Sequence, residues 1–317
     1  MLIVTGTKRS GTSMWMQILI AAGFPPFGEA FPSNWGETLR GANPAGFYES
    51  LLRQGIYWRT NPHPRTGAYF FPEQVERHVV KVFIPGLVRS DRAYIGRVVA
   101  TVRAWREYVH SLERLYAMED EARLEQKPEA PRPARIPSGL EWWSENFALV
   151  RDIAIRRYPI HVQSYDGLLA DPAKVIHSTL RWIGDAEVGP QQAEAAVAVV
   201  EPKLRTQTRA DEDAAKAEAE TETKTPEDPA SLGGVPAEFV PLFDELYATI
   251  HAGKGMAKSF ILELNAANQR LLPIIQAAQA KVHAEKKRRR PDAQSTDGAG
   301  PAPRPGGSFP DEALDWT

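Results

Sequence analysis

The rhythm of hydrophobic and polar positions changes along the chain, and each change marks an element. Leu2-Ile3-Val4 is a short apolar run closed by Gly6, which predicts a buried first strand. From Thr12 to Ala22 the apolar spacing becomes helical, with Met14, Ile18 and Leu19 on one face; Gly23 and Pro25-Pro26 supply the stop. Residues 24–77 are rich in Gly, Pro, Asn and aromatics without a period, and predict loops and short helices around a site. Residues 79–84, ended by Pro85-Gly86, and 97–102 predict two further strands. The second of these continues into an amphipathic helix over 103–118. Four prolines make 127–137 an exposed loop. Residues 140–157 are helical, with Trp142, Phe147, Val150 and Ile153 inward, and 160–162 form a short fourth strand. Asp171-Pro172 opens a helix to Trp182 that Gly184 stops, and 191–200 form another helix. Strands alternating with helices predict an α/β fold of three layers, a central parallel sheet flanked by helices.

The pattern breaks after residue 205. Residues 210–228 hold eight acidic residues against Lys216 and Lys224 and almost nothing apolar, the composition of a flexible linker. Helical periodicity returns over 238–250 and 256–282. From Glu285 the chain is polar, Pro/Gly-rich and carries Lys286-Lys287-Arg288-Arg289-Arg290. The expected organisation is a core domain over 1–205, an acidic linker over 206–230, a helical C-terminal extension over 231–284 and a disordered tail over 285–317. The basic run in that tail offers a contact for an anionic partner.

Composition narrows the function classes. The chain of 317 residues is 43% hydrophobic and 25% charged, the balance of a soluble globular protein. Its net charge of −2 argues against a general nucleic-acid binder. There is no cysteine, so disulfides, thiolate nucleophiles and cysteine-ligated metals are excluded. No stretch approaches a membrane span, and Met1 leads directly into the first strand without a charged leader; both point to a cytoplasmic protein.

The chemistry concentrates in Gly6-Thr7-Lys8-Arg9-Ser10-Gly11-Thr12-Ser13, which lies between a strand and a helix. Such a loop is a P-loop-like phosphate cradle. Its backbone N–H groups converge on an anion, and the helix N-terminus adds a favourable dipole. Gly6 and Gly11 permit the close approach, while Lys8 and Arg9 add charge. The Gly-Lys-Ser/Thr ending of nucleotide-hydrolysing loops is missing, because Thr12-Ser13 follows Gly11 and the cations come earlier. No obvious metal-binding Asp ends the strands at 79–84 or 97–102, and no metal site is expected.

These residues resemble the sulfotransferase superfamily, whose 5′-phosphosulfate loop has a basic residue before Ser-Gly-Thr-Thr/Ser, here Arg9-Ser10-Gly11-Thr12-Ser13. A second likeness is Arg103 at a strand end with Ser111 eight residues on, the spacing of that family's 3′-phosphate site. Residues 161–172, including Tyr165 and Asp171-Pro172, are similar to a third family segment. Asn43-Pro44-Ala45-Gly46-Phe47-Tyr48-Glu49 is similar to a fourth. Together the likenesses cover about residues 1–205. They imply 3′-phosphoadenosine 5′-phosphosulfate as co-substrate, held by Thr7, Lys8, Arg9, Ser10, Gly11, Thr12, Ser13, Arg103 and Ser111, with Arg205 a weaker candidate for closing over the nucleotide. The sulfuryl group would pass to a hydroxyl or amine of a small-molecule or carbohydrate acceptor.

The sequence departs from the family at the base. Many members carry His two residues after a Lys near the second strand; here Lys81-Val82-Phe83 puts Phe in that place. A carboxylate after the first helix serves other members, which makes Glu29 the first candidate, Glu49 the next and Glu37 a third. Lys8, Arg9 and Lys81 are the candidates for stabilising charge at the transferring group. The aromatics Trp35, Tyr48, Tyr57, Trp58, Tyr69 and Phe70 could wall an acceptor pocket. Two other readings stay open: a P-loop kinase or hydrolase dependent on magnesium and ATP, and an inactive relative that binds nucleotide.

Overall fold

The computed structural model describes residues 1–31, 46–126, 131–200, 232–253 and 255–288. Five strands make one parallel sheet: β1 (Leu2–Gly6), β2 (Pro26–Phe27), β3 (Val79–Lys81), β4 (Arg97–Val102) and β5 (Ile160–Ser164), in the order β2-β3-β1-β4-β5. Parallel sheets bury both faces, and the sequence supplies apolar residues to each. Leu2, Val4, Val79 and Val99 face one layer, while Ile3, Val80, Val98 and Ala100 face the other. The period-2 alternation of side chains thus builds two cores from each strand.

Helices α1 (Thr12–Ala21), α5 (Tyr165–Ala170), α6 (Pro172–Ile183) and α7 (Pro190–Ala198) bring residues such as Trp15, Leu168, Ile176 and Ala196 to the first face. Helices α2 (Ile84–Arg89) and α4 (Ser138–Arg156) place Leu87 and Leu149 on the second. A third core gathers α3 (Trp105–Gln126), the inner face of α4, α8 (Val240–His251) and α9 (Lys258–Arg288). Phe243 of α8 sits at its centre, with its ring 5.5 Å from that of Trp142, 4.8 Å from Trp143 and 5.6 Å from Trp105.

The α/β architecture expected from the pattern is present, with differences at the edges. The strand expected over 79–84 ends at Lys81, and Ile84 already opens α2. Pro85 suits the first helical turn, where its missing N–H costs nothing. The stretch expected as loops and short helices has 3-10 turns at Leu51–Gln54 and Pro72–Val75, and also the edge strand β2, too short to register as a period. Asp171 caps α6 by accepting from the Lys174 N–H at 3.1 Å, and Gly184 ends it in a left-handed conformation. Helix α9 continues through 285–288, past the expected start of the tail, and Glu285 Oε2 accepts from the Ala134 N–H at 2.6 Å. The acidic stretch 210–228, Trp35, Glu37, Asn43, Pro44, Ala45, Arg205 and residues 289–317 lie outside the described residues. No helix among the described residues is long and apolar enough to cross a membrane.

Candidate functional site

The order β2-β3-β1-β4-β5 sends the chain to one side of β1 first and to the other side afterwards. In open α/β sheets such a reversal leaves a crevice at the carboxyl ends of the strands. The loop after β1, Lys81 at the end of β3, Arg103 just after β4 and Tyr165 just after β5 all lie on that edge.

The loop is tightly built. A Cβ on Gly6 would lie 2.5 Å from both Ser10 Oγ and the Thr101 carbonyl oxygen. Ser10 Oγ donates to the Thr7 carbonyl at 2.7 Å, and Thr101 Oγ1 donates to the Ser10 carbonyl at 2.8 Å. Gly11 precedes α1 at φ 93°, and a Cβ there would meet the Tyr165 ring at 2.6 Å. Arg9 holds a left-handed backbone at φ 63°, a cost that non-glycine residues bear mostly at functional turns. No side chain caps α1, and among the described backbone contacts none takes the N–H of Gly11, Thr12 or Ser13. The first turn therefore presents donors and the positive end of the helix dipole to the crevice.

Cations collect on the β4 side of this loop. Arg9 Nε donates to Ser111 Oγ at 3.2 Å, joining the two expected anion sites through one side chain. Arg103, 5% exposed, donates from a terminal nitrogen to the Arg9 carbonyl at 3.3 Å, pairs with Glu107 at 3.3 Å and stands 5.1 Å over the Tyr165 ring. Burial lowers the Arg9 pKa, and the positive fields of Arg103 and Arg114 lower it further. An anion bound here would relieve that field.

On the β3 side, Lys81 is 3% exposed and donates to Glu49 Oε1 at 2.9 Å, the Phe47 carbonyl at 3.0 Å and Ser13 Oγ at 3.1 Å. Burial depresses the Lys81 ammonium, with Glu49 opposing the shift. Glu49 is itself buried and lies 3.7 Å from Arg53 Nε. Phe83 caps α2, and its ring is 5.5 Å from Lys81 Nζ.

No family model matches the sequence, and no curated protein matches it significantly. Among solved structures, a sulfotransferase domain from the Synechococcus PCC 7002 olefin synthase is similar at 17% identity and a TM-score of 0.35. The overlap covers 78% of this chain and 94% of that domain. At that level neither fold nor chemistry carries across, and the site rests on its own geometry.

The expected residues divide by that geometry. Thr7, Arg9, Ser10, Gly11, Thr12, Ser13, Arg103, Ser111, Lys81 and Glu49 converge on one edge. Lys8 leans outward instead: its side chain is 46% exposed and its Nζ is 4.0 Å from Glu141 Oε1. Glu29 is exposed, and its backbone bridges Glu49. Of the five aromatics that lie among the described residues, Phe70 is wholly buried in the core while Trp58 is exposed. Arg114, Gln17 and Glu107 were not legible as site residues. Gln17 Nε2 donates to the Gly46 carbonyl at 3.3 Å, a contact across the chain that no local spacing announces. Among the described residues no three His, Cys, Asp or Glu side chains gather as a metal would need.

Proposed function

We propose that the protein is a sulfotransferase that binds 3′-phosphoadenosine 5′-phosphosulfate and passes its sulfuryl group to an acceptor hydroxyl or amine. The observation that carries this reading is the Arg9–Ser111 hydrogen bond beside Arg103, at the uncapped N-terminus of α1. It brings Arg9 within reach of both expected anion-binding places, which fits a ligand carrying a 5′-phosphosulfate and a 3′-phosphate.

In this reading the N–H groups and hydroxyls of residues 7–13 hold the 5′ end, and Arg9, Arg103 and Ser111 hold the 3′-phosphate. The donor supplies an activated sulfuryl group. Lys81 and Ser13, hydrogen-bonded to each other at 3.1 Å, stabilise negative charge at the leaving oxygen. Glu49 accepts the acceptor's proton, since its carboxylate shares Lys81 with Ser13 whereas Glu29 stands exposed at the rim. Lys8, at the mouth, acts on charge at longer range.

Calorimetric titration with 3′-phosphoadenosine 5′-phosphate tests the donor site, with and without magnesium and beside ATP. The expected result is micromolar binding independent of magnesium. A charge-assisted hydrogen bond contributes about 1.5–3 kcal/mol, so Arg103→Ala and Arg9→Ala should each weaken binding by about 10- to 150-fold. Preference for magnesium-ATP would replace this reading with a kinase. Turnover that survives Glu49→Gln but not Glu29→Gln would move the base to the rim.

A further inference from the structure

Beside the phosphate loop lies a second polar corner, bordered by Lys8, whose carboxyl groups donor binding does not use. Helix α4 carries Glu141 and Glu145 four residues apart, hence on one face. Glu141 is served: Lys8 Nζ lies 4.0 Å from Oε1, and Tyr116 donates to Oε2 at 3.1 Å. Glu145 is not, for among the described residues its Oε2 is buried without a hydrogen-bond partner. Tyr108 of α3 is completely buried, its hydroxyl also has no described partner, and it feels the charge of both carboxylates. Burial and the neighbouring Glu141 push the Glu145 carboxyl up to about 8, with Lys8 opposing. The corner thus holds two carboxyl groups, one cation and two unused polar atoms. Lys8, at its rim, is half exposed.

Buried polar atoms in native proteins almost always find partners, so Glu145 Oε2 and the Tyr108 hydroxyl, both left without one beside the Lys8–Glu141 pair, describe a place built for something else. A second cation would balance the two carboxylates together with Lys8. A primary ammonium has three donors and no acceptor, matching Glu145 Oε2, the Tyr108 hydroxyl and the Glu141 carboxylate. An alcohol could make hydrogen bonds but brings no positive charge, so Glu145 would stay protonated and no charge pair would form.

We propose that this corner recognises a primary ammonium group on the acceptor, held by Glu145 and Glu141 with the Tyr108 hydroxyl as third partner. The word acceptor rests on the sulfotransferase reading; the ammonium site does not. Glu145 and Tyr108 are positioning residues that select the substrate class.

The test compares hexylamine with 1-hexanol on the full-length protein by ligand-observed NMR at pH 7. Calorimetry of the amine in buffers of different ionisation enthalpy runs alongside it. The amine is expected to bind at least tenfold more tightly than the alcohol and to release close to one proton as Glu145 ionises. Glu145→Gln and Tyr108→Phe, each checked by its melting curve, are expected to remove the preference, and Glu145→Gln the proton release. Equal binding of the two probes, or a preference that persists in Glu145→Gln, overturns the proposal. Titration of the same samples with 3′-phosphoadenosine 5′-phosphate separates the two ideas. Nucleotide binding without amine preference sinks this inference alone. Amine preference without nucleotide binding sinks the sulfotransferase reading and leaves the ammonium site standing.

Discussion

Gly11 serves packing and, in the proposed function, binding. Its left-handed backbone turns the loop into α1, and the missing Cβ lets Tyr165 lie against it. Gly11→Ala strains the backbone and drives a methyl into that ring. The expected cost is about 1–3 kcal/mol in chemical denaturation, with loss of nucleotide binding because the first-turn N–H groups lose their aim. Glu145 gives a second test, readable without any ligand. Its folded pKa of about 8 lies above the ordinary 4.5. Between those values the folded state keeps a proton that the unfolded state has lost, so stability falls as pH rises from about 4.5 to about 8. The slope contributed by this group is up to about 1.4 kcal/mol per pH unit. The difference between the native protein and Glu145→Gln isolates it, and equal pH profiles for the two would refute the assignment.

At the scale of elements, α8 and α9 share one hydrophobic core with α3 and α4. Phe243 fills the space between Trp105, Trp142 and Trp143, and Leu264, Leu271 and Ile275 continue the same core along α9. Phe243→Ala should cost about 3–5 kcal/mol, seen as a lowered denaturation midpoint, since a deleted aromatic leaves a cavity that three large rings cannot close. Helix α8 also reaches the edge that carries the loop after β1. His251 Nδ1 lies 2.8 Å from Ser164 Oγ at the end of β5, and Tyr247 hydrogen-bonds Asp166 in the first turn of α5. The extension thereby supports Tyr165, the residue between them, which packs on Gly11 and Arg103. Phe243→Ala should for that reason weaken nucleotide binding as well as stability.

Across the whole molecule, strand order brings distant residues to one edge. Because β1 lies between β3 and β4, the loop after β1 touches Lys81 on one side and Arg103 on the other. The net charge of −2 conceals a cationic crevice built from Arg9, Arg103, Arg114 and Lys81. Binding of a multiply charged nucleotide should weaken as salt rises, because screening reduces the attraction of that field. Titration over a range of ionic strength measures it, and a salt-independent affinity would place the ligand elsewhere.

Much of this was readable from the chain alone. The strand–loop–helix around Gly6 and Gly11, the alternation that makes strands two-faced, and the Asp171 and Gly184 helix ends follow from local rules. Turn chemistry and hydrophobic period act over about ten residues, a distance the sequence itself spans. The spacing of Arg103 and Ser111 belongs with them, since a strand end and the following helix must lie side by side. Tertiary structure decided the rest. Nothing local says that Lys8 leans away towards Glu141, that Glu49 rather than Glu29 meets Lys81, or that Glu145 and Tyr108 are buried without partners. A charged residue on an amphipathic helix reads as solvent-facing until another helix covers it. Burial, and with it charge state and reactivity, is fixed by contacts between residues far apart in sequence, and only the assembled fold supplies those.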